Sequence, residues 1–362
     1  MTRSSTPDVV GLTRDLIRLD TVDGNEDAAL SVLAPILSDA GLDLAWVPWH
    51  PGRSNLVATW RGGGPLTLSG HLDTVPTGAA PWARSPFGGE IDGDRLFGRG
   101  ASDMKGGVAA MTVAAARAAR EGSAPFRLVF TSAEETGCHG AAAVAAHVPL
   151  PEDGILVVGE STGNEVRFGH KGASWLRLDA RGRAAHGSRP DLGTNAIDAL
   201  ADAVHALRDA PRGPRHPHLG TRTTNVGTIA GGTQTNLVPD AATMTVDVRA
   251  VPGAGAEEIV ALLADHGSVT RALDVPSVWS DPDSAVSRTV LDIVASVRGE
   301  PSDAGGVSYF TDAAVLDPAR SRSYIIGPGD ADQPHTTDES VSVRRLEEAV
   351  EVYHALIAAR WG

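Results

Sequence analysis

The stretch "LTLSGHLDTV", residues 66–75, decides the fold. Leu66–Ser69 alternate as a strand would, the chain runs on through Gly70, and His71 and Asp73 follow two apart among small and apolar side chains. In an open α/β sheet, ligands collect beyond the carboxyl ends of the strands, so an imidazole and a carboxylate in that place mark an edge built for chemistry. The same ending recurs outward along the chain. "FRLVFTS" (126–132) leads to Glu134 and Glu135, "GILVVG" (154–159) to Glu160, and "SYIIGP" (323–328) to His335. A further acid, Asp103, lies in "GRGASDMKGG" (98–107), where a glycine-rich backbone can bend closely around an ion.

The segments between these strands complete an α/β layer. "DVVGLTRDLIRLD" and "EDAALSVLAPILSDAG" read as two amphipathic helices, the second closed by Gly41; "NLVATW" reads as a strand; "GGVAAMTVAAARAARE" and "CHGAAAVAAH" read as helices. After Lys171 the texture changes. The alternating "SWLRLDARGR", the helix "NAIDALADAVHALRD", the strands "TTNVGTIAGG" and "AATMTVDVRAV" and the helix "GAEEIVALLADHG" describe a small α+β domain. The α/β texture resumes with "AVSRTVLDIVASVRG", the strand "SYIIGP" and a final amphipathic helix "VRRLEEAVEVYHALIAARW". The expected fold class is therefore α/β: residues 1–172 and 281–362 form one domain with a central mixed sheet flanked by helices, and residues 173–280 form an inserted α+β domain.

Composition bounds the function. With 362 residues, 42% hydrophobic and 21% charged, the chain is long enough for two domains and has no apolar run of the roughly 18–20 residues a membrane span needs. The N-terminus has charges within its apolar part and no secretory core, which points to the cytoplasm. A net charge of −14 disfavours nucleic acid and anionic membranes as partners, and the basic "RDAPRGPRHPH" (208–218) reads as a solvated loop. The single cysteine, Cys138, excludes an intrachain disulfide and a thiolate-built metal site; it reads as a small buried thiol.

Any metal must therefore be held by oxygen and imidazole. Two histidines and several carboxylates at the strand ends of one sheet match the donors Zn²⁺ takes at hydrolytic sites. With Asp103 between two ions and one His and one Glu on each, three carboxylates and a shared hydroxide offset four positive charges, so a buried site is near neutral. Two ions about 3.5–4 Å apart lower the pKa of a shared water and polarise a carbonyl. Of the adjacent Glu134 and Glu135, one binds metal while the other takes the proton of the water; spacing leaves open which does which. Asp73, on the same side of an extended chain as His71, is expected to hold the second nitrogen of the imidazole.

"SGHLDTVP", "GRGASDMKGG", "SAEETG", "GEST", "RAAHGSRPDLGTNAI" and "QPHTTDESV" together resemble the M20 metallopeptidase family, in the group of acetylornithine deacetylase, succinyl-diaminopimelate desuccinylase, aminoacylase and carboxypeptidase G2. The resemblance covers nearly the whole chain, in order. It implies a zinc-exopeptidase-like catalytic domain with an inserted lid and dimerisation domain. It also implies two Zn²⁺ ions, with Co²⁺ or another divalent ion as substitutes: His71, Asp103 and Glu160 hold one, and Asp103, Glu135 and His335 the other. Glu134 becomes the general base and Asp73 the partner of His71. His186, on the lid, would reach the partner subunit's site and stabilise an oxyanion.

Arg249 in "MTVDVRAV" and Asn236 in "TQTNLVPD" match positions that bind a substrate carboxylate, a guanidinium being suited to fork onto one. Thr311 and Asp312 partly fit a substrate-side loop, but Tyr309 and Phe310 stand where the family carries small residues. That departure leaves two readings of the aromatic pair, a bulkier acyl pocket or core filling. The implied activity is hydrolysis of the amide of an N-acyl-L-amino acid by a homodimer. A carboxypeptidase or dipeptidase with the same chemistry is the near alternative, and a non-catalytic binding protein on the same fold the distant one.

Overall fold

A computed structural model describes residues 8–151, 153–317, 319 and 321–361. The chain divides into two compact units. The first runs to Gly169 and takes in Trp279–Gly305 and the chain from Thr311 onward; the second is His170–Val278 with Gly306–Phe310. The return of Gly306–Phe310 to the second unit leaves no trace in the local pattern of the sequence.

The first unit is built on a six-stranded mixed sheet, in the order Asp43–His50, Arg53–Trp60, Phe126–Thr131, Leu66–His71, Ile155–Val158, Ser323–Ile325. Arg53–Trp60 is antiparallel to both its neighbours, and the remaining pairs are parallel. Register then places the site: His71 lies level with Thr131, and Ser69 with Val158, so His71 and the segments after Thr131 and Val158 leave the sheet at one edge. The outer strand Asp43–His50 was not anticipated. Only Val47 is buried in it, so it carries no hydrophobic alternation.

The alanine-rich helix Gly106–Glu121 is buried at 13 of its 16 residues. A helix buried over most of its length belongs inside a core, and its small side chains let Val9–Ile17, Glu26–Asp39 and Val343–Ala358 pack closely against it. Its first turn touches the sheet: a Cβ on Gly107 would lie 2.3 Å from the carbonyl oxygen of Gly159. Glu26–Asp39 ends as expected before Gly41, which takes a left-handed φ of +93°. A small sheet of Glu90–Asp92, Arg95–Phe97 and Ser340–Ser342, absent from the sequence reading, anchors the segment after His335.

The second unit is a four-stranded antiparallel sheet, in the order Thr223–Gly231, Ala241–Ala250, Gly172–Arg181, Ser268–Val275. The helices Ala196–Asp209 and Glu257–Ala264 close a core that includes Leu176, Leu200, Met244, Val246 and Leu263. Ser268–Val275 adds a strand to the expected order. It is an edge strand with mostly exposed side chains, which is why its pattern is weak. Among the described residues, no helix is long and apolar enough to cross a membrane.

Candidate metal centre

His71 is the last residue of its strand and is 1% exposed. Its Nδ1 lies 3.0 Å from the backbone carbonyl oxygen of Asp73. A carbonyl only accepts, so Nδ1 carries a hydrogen, and Nε2 is the nitrogen that faces the site. Nε2 is 3.0 Å from Asp103 Oδ1 and 3.1 Å from Glu160 Oε1. The other oxygen of Asp103, Oδ2, is 3.3 Å from His335 Nε2, which is also 3.1 Å from Glu135 Oε2. Asp103 thus divides its two oxygens between two groups of donors: His71, Asp103 and Glu160 form one, and Asp103, Glu135 and His335 the other. Within each group the donor atoms lie within 4.8 Å of one another, and Glu134 belongs to neither.

The Asp73 carboxylate departs from its expected task. At 3.6 Å it is farther from His71 Nδ1 than the residue's own carbonyl, and it instead accepts the backbone N–H groups of Glu134 and Glu135, each at 3.1 Å. One residue therefore orients His71 through its main chain and the acidic loop through its side chain. Glu339 was missed entirely in the sequence. Fully buried, it accepts N–H groups from Gly100, Ser102 and Asp103 and the guanidinium of Arg99. The available signal was an acid four residues after His335, too common a pattern to stand out.

The electrostatics ask for cations. Burial raises the pKa of Glu134 well above the carboxylate range, and burial with the charge of Asp103 raises Glu135 as well. The same pair of causes lifts Glu160 to about 7, and burial lifts Glu339 to about 7. Burial opposes charge on His71, but hydrogen bonds to Asp103 and Glu160 outweigh it and hold its pKa well above the usual range. For Asp103, burial is outweighed by hydrogen bonds from His335 and His71, and its pKa falls. His335 is held at about 10 by Asp103 and Glu135. Acids crowded out of water stay ionised only with positive charge among them. Glu135 Oε1 is buried without a hydrogen-bond partner among the described residues, and the donors are all oxygen and imidazole. The set fits hard or borderline divalent ions.

Residues 67–359 match the model of peptidase family M20/M25/M40. The chain belongs to that family. It is 33% identical over 375 residues to a succinyl-diaminopimelate desuccinylase of Cereibacter sphaeroides, covering 96% of this chain and 97% of that one. It is 30% identical over 403 residues to a probable succinyl-diaminopimelate desuccinylase of Staphylococcus epidermidis, covering 99% of each. Its fold is shared with an M20 family metallo-carboxypeptidase of Sulfolobus solfataricus, at a TM-score of 0.78 and 17% identity over 97% of this chain and 99% of that one. A Bacillus subtilis protein described as a dinuclear metal binding peptidase of the M20 family gives a TM-score of 0.70 and 15% identity, over 97% and 96%. As an M20/M25/M40 family member, the chain is a metal-dependent hydrolase of amide bonds.

The remaining expected residues of this M20-family hydrolase lie elsewhere. His186, Asn236 and Arg249 belong to the second unit. There the His186 segment pairs with that of Asn236: Gly187 N–H donates to the Asn236 carbonyl at 2.7 Å, and a Cβ on Gly187 would strike the Asn236 backbone at 2.9 Å. His186 is exposed, and its Nδ1 accepts the N–H of Ser188 at 3.1 Å. Arg249 sits on an interior strand of its sheet. Its Nε donates to Asp247 at 3.0 Å, and its guanidinium lies 5.9 Å from the ring centre of Phe310. Thr311 and Asp312 are buried in the first unit. Thr311 Oγ1 accepts the N–H of Ala313, and Asp312 accepts the hydroxyl of Thr131, the residue beside His71. Burial, outweighing that hydrogen bond, lifts Asp312 to about 6.

Proposed function

We propose that the chain is a homodimeric, two-zinc amidohydrolase that removes the acyl group from an N-acyl-L-amino acid in the cytoplasm. Substrates of the succinyl-diaminopimelate and acetylornithine type come first, in line with the names of its relatives. The observation that carries the two-ion reading is the division of Asp103 between His71 and His335. His71, Asp103 and Glu160 would hold one ion, and Asp103, Glu135 and His335 the other. When bound, Zn²⁺ or Co²⁺ supplies Lewis-acid polarisation of the amide carbonyl and a lowered pKa for the attacking water.

The chain's own groups do the rest. Glu134, buried beside both donor groups but a member of neither, takes a proton from water as the water oxygen bonds to the carbonyl carbon. It returns that proton to nitrogen as the carbon–nitrogen bond breaks, releasing a carboxylic acid and an amine. His186 is assigned to the oxyanion. Because Nδ1 accepts from Ser188, the neutral ring carries its hydrogen on Nε2, where it can be donated. Arg249, whose Nε is held by Asp247, and Asn236 are assigned to the substrate's carboxylate. Thr311 and Asp312 are assigned to the substrate-side wall. Residues 1–172 and 281–362 would make the catalytic domain and 173–280 a lid that also forms the dimer.

Primary-amine release from a panel of N-succinyl, N-acetyl and N-formyl amino acids and dipeptides, with Zn²⁺ or Co²⁺ and a chelator control, tests the reading. Chelator-sensitive release from acylated amino acids is expected. Release confined to dipeptides would turn the assignment to a dipeptidase, and none at all from a chain carrying two metals would remove the substrate class. Sedimentation should show a species of twice the chain mass; a monomer would remove the dimer and with it the cross-subunit role of His186.

A further inference from the structure

We propose that Glu339 is a positioning residue of the metal centre, fixing the loop that presents Asp103 between the two donor groups. The inference rests on the two-metal reading. Its ground is a buried carboxylate with every oxygen engaged. Oε1 accepts the N–H of Ser102 at 2.8 Å and of Asp103 at 3.0 Å; Oε2 accepts the N–H of Gly100 at 3.0 Å and Arg99 Nη1 at 2.7 Å. The loop needs such an acceptor. Gly100 has φ +83° and Asp103 has φ −121° and ψ 92°, so neither is helical, and buried N–H groups there must be met by something else.

The acceptor comes from the segment that also carries His335, four residues earlier. Two serines extend the clamp: Ser102 Oγ donates to the Ser340 carbonyl at 2.9 Å, and Ser161 Oγ, next to Glu160, donates to the Ser102 carbonyl at 2.9 Å. Gly98 N–H closes it on the Glu339 carbonyl at 2.8 Å. The segments bearing Asp103, Glu160 and His335 are therefore tied together behind the site, with Glu339 at the centre. A shift of the Asp103 loop disturbs both donor groups at once, since each takes one of its oxygens.

Glu339→Gln keeps the shape but turns an NH₂ toward N–H donors; Glu339→Asp keeps the charge but is one methylene short of the loop. Purified wild-type and variant chains are stripped with chelator, melted, and titrated with Co²⁺ by equilibrium dialysis and visible absorption. The expectation is a 10- to 100-fold weaker uptake of both ions, on the order seen when groups behind metal ligands are removed, with an altered cobalt spectrum and a melting transition of the stripped chain still present. Unchanged affinity and spectrum in both variants would overturn the proposal. So would loss of the stripped chain's melting transition in both, which would assign Glu339 to fold stability alone. A wild-type chain that takes up no Co²⁺ would strike the metal reading itself, and this inference with it.

Discussion

Glu134 and Glu135 are neighbours in sequence with different surroundings, and that difference separates their tasks. Glu135 faces His335, whereas Glu134 stands outside both donor groups. Glu134→Gln is expected to retain metal while kcat falls by about 10²–10⁴-fold, the range of a lost general base; a variant with wild-type turnover and full metal content would remove it from the mechanism. Asp73→Asn should act differently. It leaves the main-chain acceptor of His71 intact but weakens the two bonds to the acidic loop, so metal affinity and kcat should fall together, by about 10–100-fold. Metal content and amine release measured on the same samples distinguish the two. His71, Glu135, Glu160 and His335 were legible in the sequence because each ends or follows a strand, and Asp103 because its loop is rich in glycine; the acceptor for the second nitrogen of His71 was not, because a carbonyl leaves no mark in a sequence.

At the scale of elements, strongly patterned segments were legible and edges were not. The buried helix Gly106–Glu121 runs over the residues its sequence predicts, whereas Asp43–His50 and Ser268–Val275 carry too few buried side chains to alternate. The contact between Gly107 and the Gly159 carbonyl joins the helix that follows Asp103 to the strand that leads to Glu160. The atom such a Cβ would strike is backbone, which cannot swing aside as the end of a side chain can. Gly107→Ala should therefore cost about 1–3 kcal/mol by overfilling a close contact and weaken metal uptake through both neighbours. Urea denaturation with and without Zn²⁺ checks this, and a variant of unchanged stability would show that the backbones can part freely.

For the whole molecule, acid stability offers a measure that stands apart from the metal centre. His170 is fully buried in the second unit; Nδ1 donates to the Lys171 carbonyl at 2.8 Å and Nε2 has no hydrogen-bond partner among the described residues. Burial lowers its pKa from 6.5 to about 4. Between those values the unfolded chain binds a proton that the folded chain does not, so stability is full above pH 6.5 and declines as the pH falls toward 4. At pH 5 the loss from this one group is about 2 kcal/mol. His170→Gln should flatten the difference in unfolding free energy between pH 7.5 and pH 5 by that amount, with chelator present throughout; parallel curves for the two proteins would refute it.

The sequence alone determined the α/β class, the run of chemically active strand ends, and the donor types from which a metal site could be made. These follow from local regularities: a period of two or of 3.6, a glycine where the chain turns, an acid or imidazole where a strand stops. Only the tertiary structure decided which oxygen of Asp103 faces which histidine, that the Asp73 carboxylate serves the acidic loop, and that Glu339 stands behind the Asp103 loop. Each of those facts joins residues far apart in the chain through one directional hydrogen bond or ion pair. Such a bond depends on where two backbones meet in space, and no periodicity in either segment records that meeting.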